Sequence, residues 1–169
     1  MKVVLNASLL IYLGKKRRID ILGRGFEKII IPPEVEEEIM KIDNSPEAVQ
    51  LREAIKKGWI TVERTSEDQV AQVARLFPEI DEGEAAVIAL AIEQQTENVV
   101  IDDAEARVAA EYFRLKVYGT LYIMLEALKR NVLKSKAEVR SIVDNMLRRG
   151  FYLSTEVYAR FLYLLDKIR

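Results

Sequence analysis

The amino-acid sequence predicts an α/β sandwich. Short apolar runs rich in Val and Ile, typical of buried strands, alternate along the chain with longer stretches that carry helical spacing. Strands that alternate with helices form right-handed crossover units around a parallel sheet. The chain has 169 residues, half of them hydrophobic, which is enough to bury one substantial core.

The composition excludes several classes of active site. The chain contains no Cys and no His, which rules out disulfides, thiolate nucleophiles, imidazole bases and the usual zinc sites. Its formal charge is −1, from 26 basic and 27 acidic residues, so no global field attracts nucleic acid or a membrane. Catalysis must therefore use carboxylates, Lys, Tyr, Ser, Thr or a hard metal ion.

The hydropathy pattern argues against a membrane protein. The apolar run at the start of the chain is too short for a signal peptide, and no run approaches the roughly 20 residues that a spanning helix needs. We therefore expect a cytoplasmic protein.

Residues 3–13 are predicted to form a strand, a turn and a helix. The apolar run 3–5 ends at the polar Asn6, and an apolar helical stretch follows at 7–13. The basic run 15–18 closes this helix. It has two interpretations: cations that complement the helix dipole and face water, or a patch that contacts phosphate.

The second predicted strand, residues 28–31, is a β-branched run that two prolines end. Proline is tolerated in the first turn of a helix, and a helix is predicted at 34–42. At about 100° per residue, the glutamate nearest to its apolar stripe is Glu38, so we expect Glu38 to face the protein. That stripe consists of Val35, Ile39 and Ile42.

The next elements are delimited by caps and breakers. A helix over 45–57 begins at a serine N-cap and stops at Gly58. Residues 59–62 are predicted to form a short strand or an extended segment at the edge of the sheet. A capping box then opens a helix over 66–77, which a proline ends.

The stretch 81–91 begins with acidic residues and turns apolar, which predicts a helix that enters the core. Glu84 has the spacing of a capping-box glutamate, with Asp81 as the cap. It also lies on the same face as Val87 and Ile88, so capping and a second role are both open. Residues 98–101 are apolar at successive positions, as in strands of a parallel sheet covered on both faces.

The remaining elements are a helix at 104–114, a strand at 116–118, and helices at 121–130, 135–149 and 154–169. We divide the chain into an α/β domain, residues 1–130, and a helical extension, residues 131–169. The extension packs either on the same domain or on a dimer partner.

Polar side chains follow two of the predicted strands. Asn6 follows the first strand, and Asp102 and Asp103 follow the strand at 98–101. Ligands of open parallel sheets bind beyond the carboxyl ends of the strands. If these two strands are adjacent, the three side chains meet at one edge, and Glu38 and Glu84 reach the same cleft.

Clustered carboxylates repel one another unless a cation lies among them. Oxygen ligands select hard ions, so we expect Mg²⁺ or Mn²⁺, and such sites usually perform phosphoryl chemistry. Simpler roles stay open: Asp102 or Asp103 as a helix cap, and Glu38 as a solvated helix residue.

At these residues the chain resembles a PIN domain, and it is most similar to the prokaryotic branch related to VapC toxins. The resemblance covers residues 2–130 in order. Its most specific parts are the Gly-Glu-Ala helix around Glu84 and the Asp-Asp strand end at Asp102 and Asp103. Further matches are residues 4–10, 33–38 and 117–121.

The resemblance implies a three-layer α/β/α sandwich with a mainly parallel sheet, and an Mg²⁺- or Mn²⁺-dependent endoribonuclease. Glu38, Glu84 and Asp102 match the family's acidic positions, and Asp103 is a neighbouring acid. The resemblance also implies three substrate contacts, at Ser8, Arg107 and Thr120.

The sequence departs from this family at Asn6, which stands where the family has its first acid. An amide oxygen can ligate a metal or orient a water molecule, but it contributes no charge. We therefore expect Asn6, Glu84, Asp102 and Asp103 to ligate the metal with weakened affinity.

The rival hypothesis is a catalytically silent PIN module that binds RNA or a protein. A toxin with an antitoxin partner, and a homodimer, are further expectations.

Overall fold

The computed structural model describes residues 1–169 and contains one five-stranded sheet in which all strand pairs are parallel. The order of the strands in the sheet is β3-β2-β1-β4-β5. This confirms the predicted α/β class, and residues 60–62 form a strand. The strands are β1 (Lys2–Leu5), β2 (Lys28–Ile31), β3 (Ile60–Val62), β4 (Asn98–Val100) and β5 (Lys116–Tyr118).

Strand β1 lies at the centre of the sheet. Its Val4 pairs with Ile30 of β2 on one side and with Val99 of β4 on the other. Residues 3–5 are fully buried, because helices cover both faces of the sheet. This double burial explains why the strand is apolar at successive positions instead of at alternate ones.

Seven helices flank this sheet and complete the three-layer α/β/α sandwich. Helix α1 packs against α4, whereas α6 packs against α5, α7 and strands β1 and β4. All side chains from residue 85 to residue 91 of α6 are buried, as expected for a helix that is apolar on every side. The seven are α1 (Ala7–Lys15), α2 (Asp20–Gly25), α3 (Pro33–Met40), α4 (Pro46–Lys56), α5 (Glu67–Leu76), α6 (Glu82–Glu93) and α7 (Ala104–Tyr112).

Two local predictions fail between residues 20 and 42. Helix α2 is six residues long and contains two glycines, so it carries no clear periodicity, and the sequence analysis missed it. Helix α3 ends at Met40, two residues before the predicted end. Ile42 is therefore 68% exposed, and the apolar stripe of this helix consists of Val35 and Ile39 alone.

The chain divides into two compact units, residues 1–119 and residues 120–169. The second unit contains α8 (Thr120–Lys129), α9 (Lys136–Arg148) and α10 (Thr155–Lys167). Helix α8 contacts both other helices, and Ser135 and Ser154 cap α9 and α10. The boundary lies after residue 119 and not after residue 130, so α8 groups with the C-terminal helices. None of the ten helices is long and apolar enough to cross a bilayer.

Because Gly14 has no side chain, the backbones of α1 and α4 come into direct contact at this position. A Cβ atom on Gly14 would lie 2.7 Å from the Cα of Glu47, closer than such atoms can come. The helix crossing therefore requires the absence of a side chain at this position.

Substitution Gly14→Ala should lower the free energy of unfolding by about 1–3 kcal/mol, because the added methyl group forces α1 and α4 apart. Urea denaturation followed by circular dichroism measures this change. Gly25→Ala is the matched control, since a Cβ atom at Gly25 meets nothing within 4 Å. Equal free energies of unfolding of the two variants would contradict this prediction, because α1 and α4 would then accommodate the methyl group without loss of stability.

Candidate active site

The order of the strands reverses beside β1. The chain crosses from β1 to β2 and β3 on one side and from β4 to β5 on the other. The switch point is therefore at the carboxyl ends of β1 and β4, where open parallel sheets bind ligands, and we call this edge the cleft. The backbone N–H of Asn6 donates a hydrogen bond of 3.2 Å to the carbonyl of Val100. This bond fastens the turn after β1 to β4. The two strands are adjacent, which meets the condition for Asn6 and Asp102 to lie at neighbouring strand ends.

Asn6 carries an unsatisfied acceptor in this cleft. The residue is only 6% exposed, and its Oδ1 atom has no hydrogen-bond partner. Asn6 occupies the N-cap position of α1, yet its side chain does not cap the helix. A buried acceptor without a partner costs about 1–3 kcal/mol, so this atom is available to a cation or a donor that enters the cleft.

Asp102 lies against Gly119 and close to Arg107. A Cβ atom on Gly119 would be 3.2 Å from Oδ1 of Asp102 and 3.4 Å from Nη1 of Arg107. The same Nη1 donates a hydrogen bond of 2.8 Å to the carbonyl of Ile101, which holds the guanidinium in place. Because Gly119 has no side chain, the carboxylate of Asp102 and the guanidinium of Arg107 both lie next to the position that its Cβ atom would occupy.

The negative charge of Asp102 also reaches Tyr12 on α1. Burial raises the pKa of the Tyr12 phenol, and the charge of Asp102 raises it further. Tyr12 is one helical turn beyond Ser8, and both side chains are partly exposed in a helix that is otherwise mostly buried. Tyr12 was not predicted as a site residue; its spacing of four residues from Ser8 was the available signal.

Glu84 forms a capping box at the start of α6. Oδ1 of Asp81 accepts a hydrogen bond of 2.8 Å from the N–H of Glu84, and Oε2 of Glu84 accepts one of 3.0 Å from the N–H of Asp81. Burial raises the pKa of Glu84 to about 7, against the opposing effect of that second hydrogen bond. The charges of Asp81, Asp103 and Glu38 contribute to this rise, so the capping residue also faces other acids.

Glu38 and Asp103 lie near this helix start. Oε2 of Glu38 is 3.8 Å from the position that a Cβ atom on Gly83 would occupy. Glu38 is exposed as a residue, so it faces α6 from the rim of the cleft and not from the core. Oδ1 of Asp103 accepts a hydrogen bond of 2.9 Å from the N–H of Ala106 and caps α7, as the simpler interpretation of this residue expected.

The residues at this edge suit a hard divalent cation by their chemistry. Every candidate donor is an oxygen atom, one of them is the unsatisfied Oδ1 of Asn6, and the negative charges of Glu38 and Asp103 act on Glu84. The structure does not bring three acidic side chains close enough together to ligate one ion. It thus gathers Asp81, Asp103 and Glu38 around Glu84. Asp102 lies instead beside Gly119 and Arg107.

Two predicted substrate contacts stay untested. Ser8 lies in the first turn of α1 and is partly exposed, within the turn that follows Asn6. Thr120 is buried and begins α8, in the second compact unit. Their roles remain predictions.

A further acid, Glu34, was not predicted as a site residue. It lies in the first turn of α3, directly after β2, and its Oε2 atom is buried without a hydrogen-bond partner. Only Glu34 and Asn6 have such an atom, and β2 is the neighbour of β1 in the sheet. The rule that selected Asn6 and Asp102, a polar residue after a strand end, would have found Glu34 if applied beyond Pro32 and Pro33.

A comparison with protein families agrees with this arrangement. A family model named DUF3368, described as a PIN domain, matches residues 2–167. No curated protein matches the chain.

The raised pKa of Glu84 predicts a pH dependence of stability in metal-free protein. A carboxyl group with a folded-state pKa of about 7, above its unfolded value of 4.5, stabilises the fold most below pH 4.5, and this contribution is lost as the pH rises through 7. In EDTA, the stability of the wild type relative to Glu84→Gln should fall by roughly 1 kcal/mol or more between pH 5 and pH 7.5.

Urea denaturation at the two pH values measures this difference. Glu82→Gln is the control, because Glu82 lies in the same helical turn but is exposed. A difference between wild type and Glu84→Gln that does not change with pH would contradict the burial of the Glu84 carboxyl group.

Proposed function

Because this chain belongs to the PIN-domain family, whose members are generally nucleases, we propose that it is a metal-dependent endoribonuclease that hydrolyses phosphodiester bonds of RNA. The observation that carries this proposal is the acidic edge at the point where the strand order reverses, with the buried and unsatisfied Oδ1 of Asn6 within it. The choice of RNA as substrate rests on the resemblance to the VapC-related branch.

In this proposal Asp102, Glu84, Asp103 and Asn6 hold an Mg²⁺ or Mn²⁺ ion, and Glu38 adds negative charge at the rim. When bound, the cation supplies positive charge that polarises the phosphate and makes water a better nucleophile. Asn6 fits this role because its Oδ1 has no other partner. Glu34, which begins the helix after the neighbouring strand β2, has a second unsatisfied buried oxygen and is a further candidate ligand.

Arg107 is the proposed contact to a substrate phosphate. Its Nη1 is held by the Ile101 carbonyl, and the guanidinium makes no ion pair, so its other N–H donors remain for an anion. Guanidinium groups bind phosphate through paired, charge-assisted hydrogen bonds. Ser8 and Thr120 are the proposed hydroxyl contacts.

A second candidate function is a PIN module that binds RNA or a protein without cleaving it. Two observations favour it: the amide of Asn6 stands in place of an acid, and no three acidic side chains converge. Both features lower the affinity of the site for a cation. The two candidates differ in whether the cleft supports hydrolysis, which the variants below decide.

The proposal extends to the biological setting of the chain. A toxin role with an antitoxin partner, a homodimer and a cytoplasmic location are all compatible with this chain. For the dimer, α10 offers the exposed apolar side chains of Val157, Tyr163 and Leu164. These proposals do not affect the assignment of the cleft.

Substitution Asp102→Asn should reduce Mn²⁺-dependent cleavage of a labelled RNA pool at least a hundredfold, since it removes a charge from the site while leaving its shape unchanged. Cleavage is compared in Mn²⁺ and in EDTA by gel electrophoresis. Asp68→Asn, at an exposed acid in the first turn of α5, should cleave like the wild type. Full activity of Asp102→Asn would refute the proposed site.

Substitution Asn6→Asp should lower the melting temperature in EDTA, because it places a charge where burial leaves no partner. Added Mn²⁺ should raise the melting temperature of this variant more than that of the wild type. The exposed control Asn44→Asp should show neither effect.

Differential scanning fluorimetry reads both changes without any cleavage assay. Cleavage that rises sharply in Asn6→Asp from an inactive wild type would favour a site silenced at this one position. If neither protein cleaves RNA and neither is stabilised by Mn²⁺, the binding module becomes the better assignment.

A further inference from the structure

The charge of the chain is divided unequally between its two compact units. The second unit, residues 120–169, contains ten Lys and Arg residues and five Asp and Glu residues, whereas the whole chain has 26 and 27. The first unit therefore carries an excess of acid and the second an excess of base. The net negative charge of the first unit opposes the approach of a polyanion, so the basic second unit is the better source of affinity for RNA phosphates beyond the proposed contact at Arg107.

Two of the ten basic side chains of the second unit lie together on one face of α9. Arg140 and Arg148 are both exposed and border a cavity of about 310 Å³. Arg140 is 4.0 Å from Asp166, at the outer limit of an ion pair, and Arg148 makes none. The rest of the cavity lining is Ala137, Ser141, Asp144 and Asn145.

The helix dipole does not explain this face by itself. Arg148 lies in the last turn of α9, where a cation is favourable, but Arg140 lies near the middle of the helix. The one acid of the face, Asp144, accepts a hydrogen bond of 2.7 Å from the hydroxyl of Tyr158 and pairs with neither arginine. The face thus presents two guanidinium groups, a hydroxyl and an amide, which are the groups that bind phosphate and sugar oxygens.

An exposed aromatic ring follows this helix. Tyr152 is 86% exposed, the largest value for an apolar or aromatic side chain of this size in the protein. It comes just after Gly150, whose φ of +95° turns the chain at the end of α9. An exposed ring close in sequence to a basic helix end is the combination with which proteins bind single-stranded nucleic acid, by stacking a base beside a phosphate contact.

We propose that the α9 face with Arg140 and Arg148, together with Tyr152, binds the backbone and one base of single-stranded RNA. The proposal deepens the proposed function, on which it rests for the identity of the nucleic acid. It assigns substrate affinity to the basic second unit and leaves the chemistry to the acidic first unit.

The test measures the binding of a fluorescently labelled, single-stranded RNA by anisotropy in EDTA, over a series of salt concentrations. The double variant Arg140→Gln/Arg148→Gln should bind at least fivefold more weakly than the wild type at low salt. Its slope of log K against log salt should be shallower by about 1.4, the value for two phosphate contacts to a single strand. Tyr152→Ala should weaken binding several-fold without changing the slope.

The matched control is Arg24→Gln/Arg114→Gln, which removes the same charge from two exposed arginines of the first unit. This control should bind RNA within twofold of the wild type. If it loses as much affinity as the α9 variant, binding depends on overall charge and the proposal is wrong. The proposal is also wrong if the α9 variant retains wild-type affinity for RNA. If such a variant also has a lower mass in solution than the wild type, the face joins two copies of the chain instead of binding RNA.

Circular dichroism melting shows that each variant is folded. The binding assay contains no metal and measures no cleavage, so its outcome is independent of the nuclease assignment. Loss of RNA binding in the α9 variant alongside an inactive wild type would support the binding surface and reject the nuclease.

Discussion

The parallel pairing of β1 with β4 is the interaction on which the rest of the first unit depends. It joins segments almost a hundred residues apart, and it reverses the direction in which the chain winds. The reversal sends helices to opposite faces of the sheet and leaves a gap between the first turns that follow the two strands. Because Asn6 and Asp102 occupy those turns, the pairing that closes the core also assembles the polar cleft.

Much of this fold was predictable because its signals are local. Each strand is a short β-branched run, and Ser66, Asp81, Ser135 and their partners mark helix starts within four residues. The adjacency of β1 and β4 is not local, and periodicity carries no information about it. Asp102 and Asp103 were found from their position after a strand, and Glu38 and Glu84 from the faces of their helices. Glu34 was missed because two prolines separate it from its strand. The prediction that Ile42 belongs to the apolar stripe of its helix was wrong, because the periodicity of a helix does not reveal where the helix stops.

The cleft combines two opposed electrostatic effects at the start of α6. The free N–H groups of a helix N-terminus favour negative charge, which is why Asp81 and Glu84 can cap each other there. Burial and the neighbouring acids oppose the ionisation of Glu84. A residue under both influences is well anchored yet has its charge only partly compensated, a condition common at functional sites and uncommon at ordinary caps.

The two edges of the sheet have a consequence for self-association. Strands β3 and β5 are each three residues long, and β5 begins with an exposed lysine that pairs with Glu97 at 2.6 Å. Edges this short offer little backbone for a foreign strand to extend the sheet, and the lysine of β5 discourages pairing further. Copies of this protein that meet at high concentration should therefore resist amyloid-like stacking, and any specific assembly has to be built from helix surfaces.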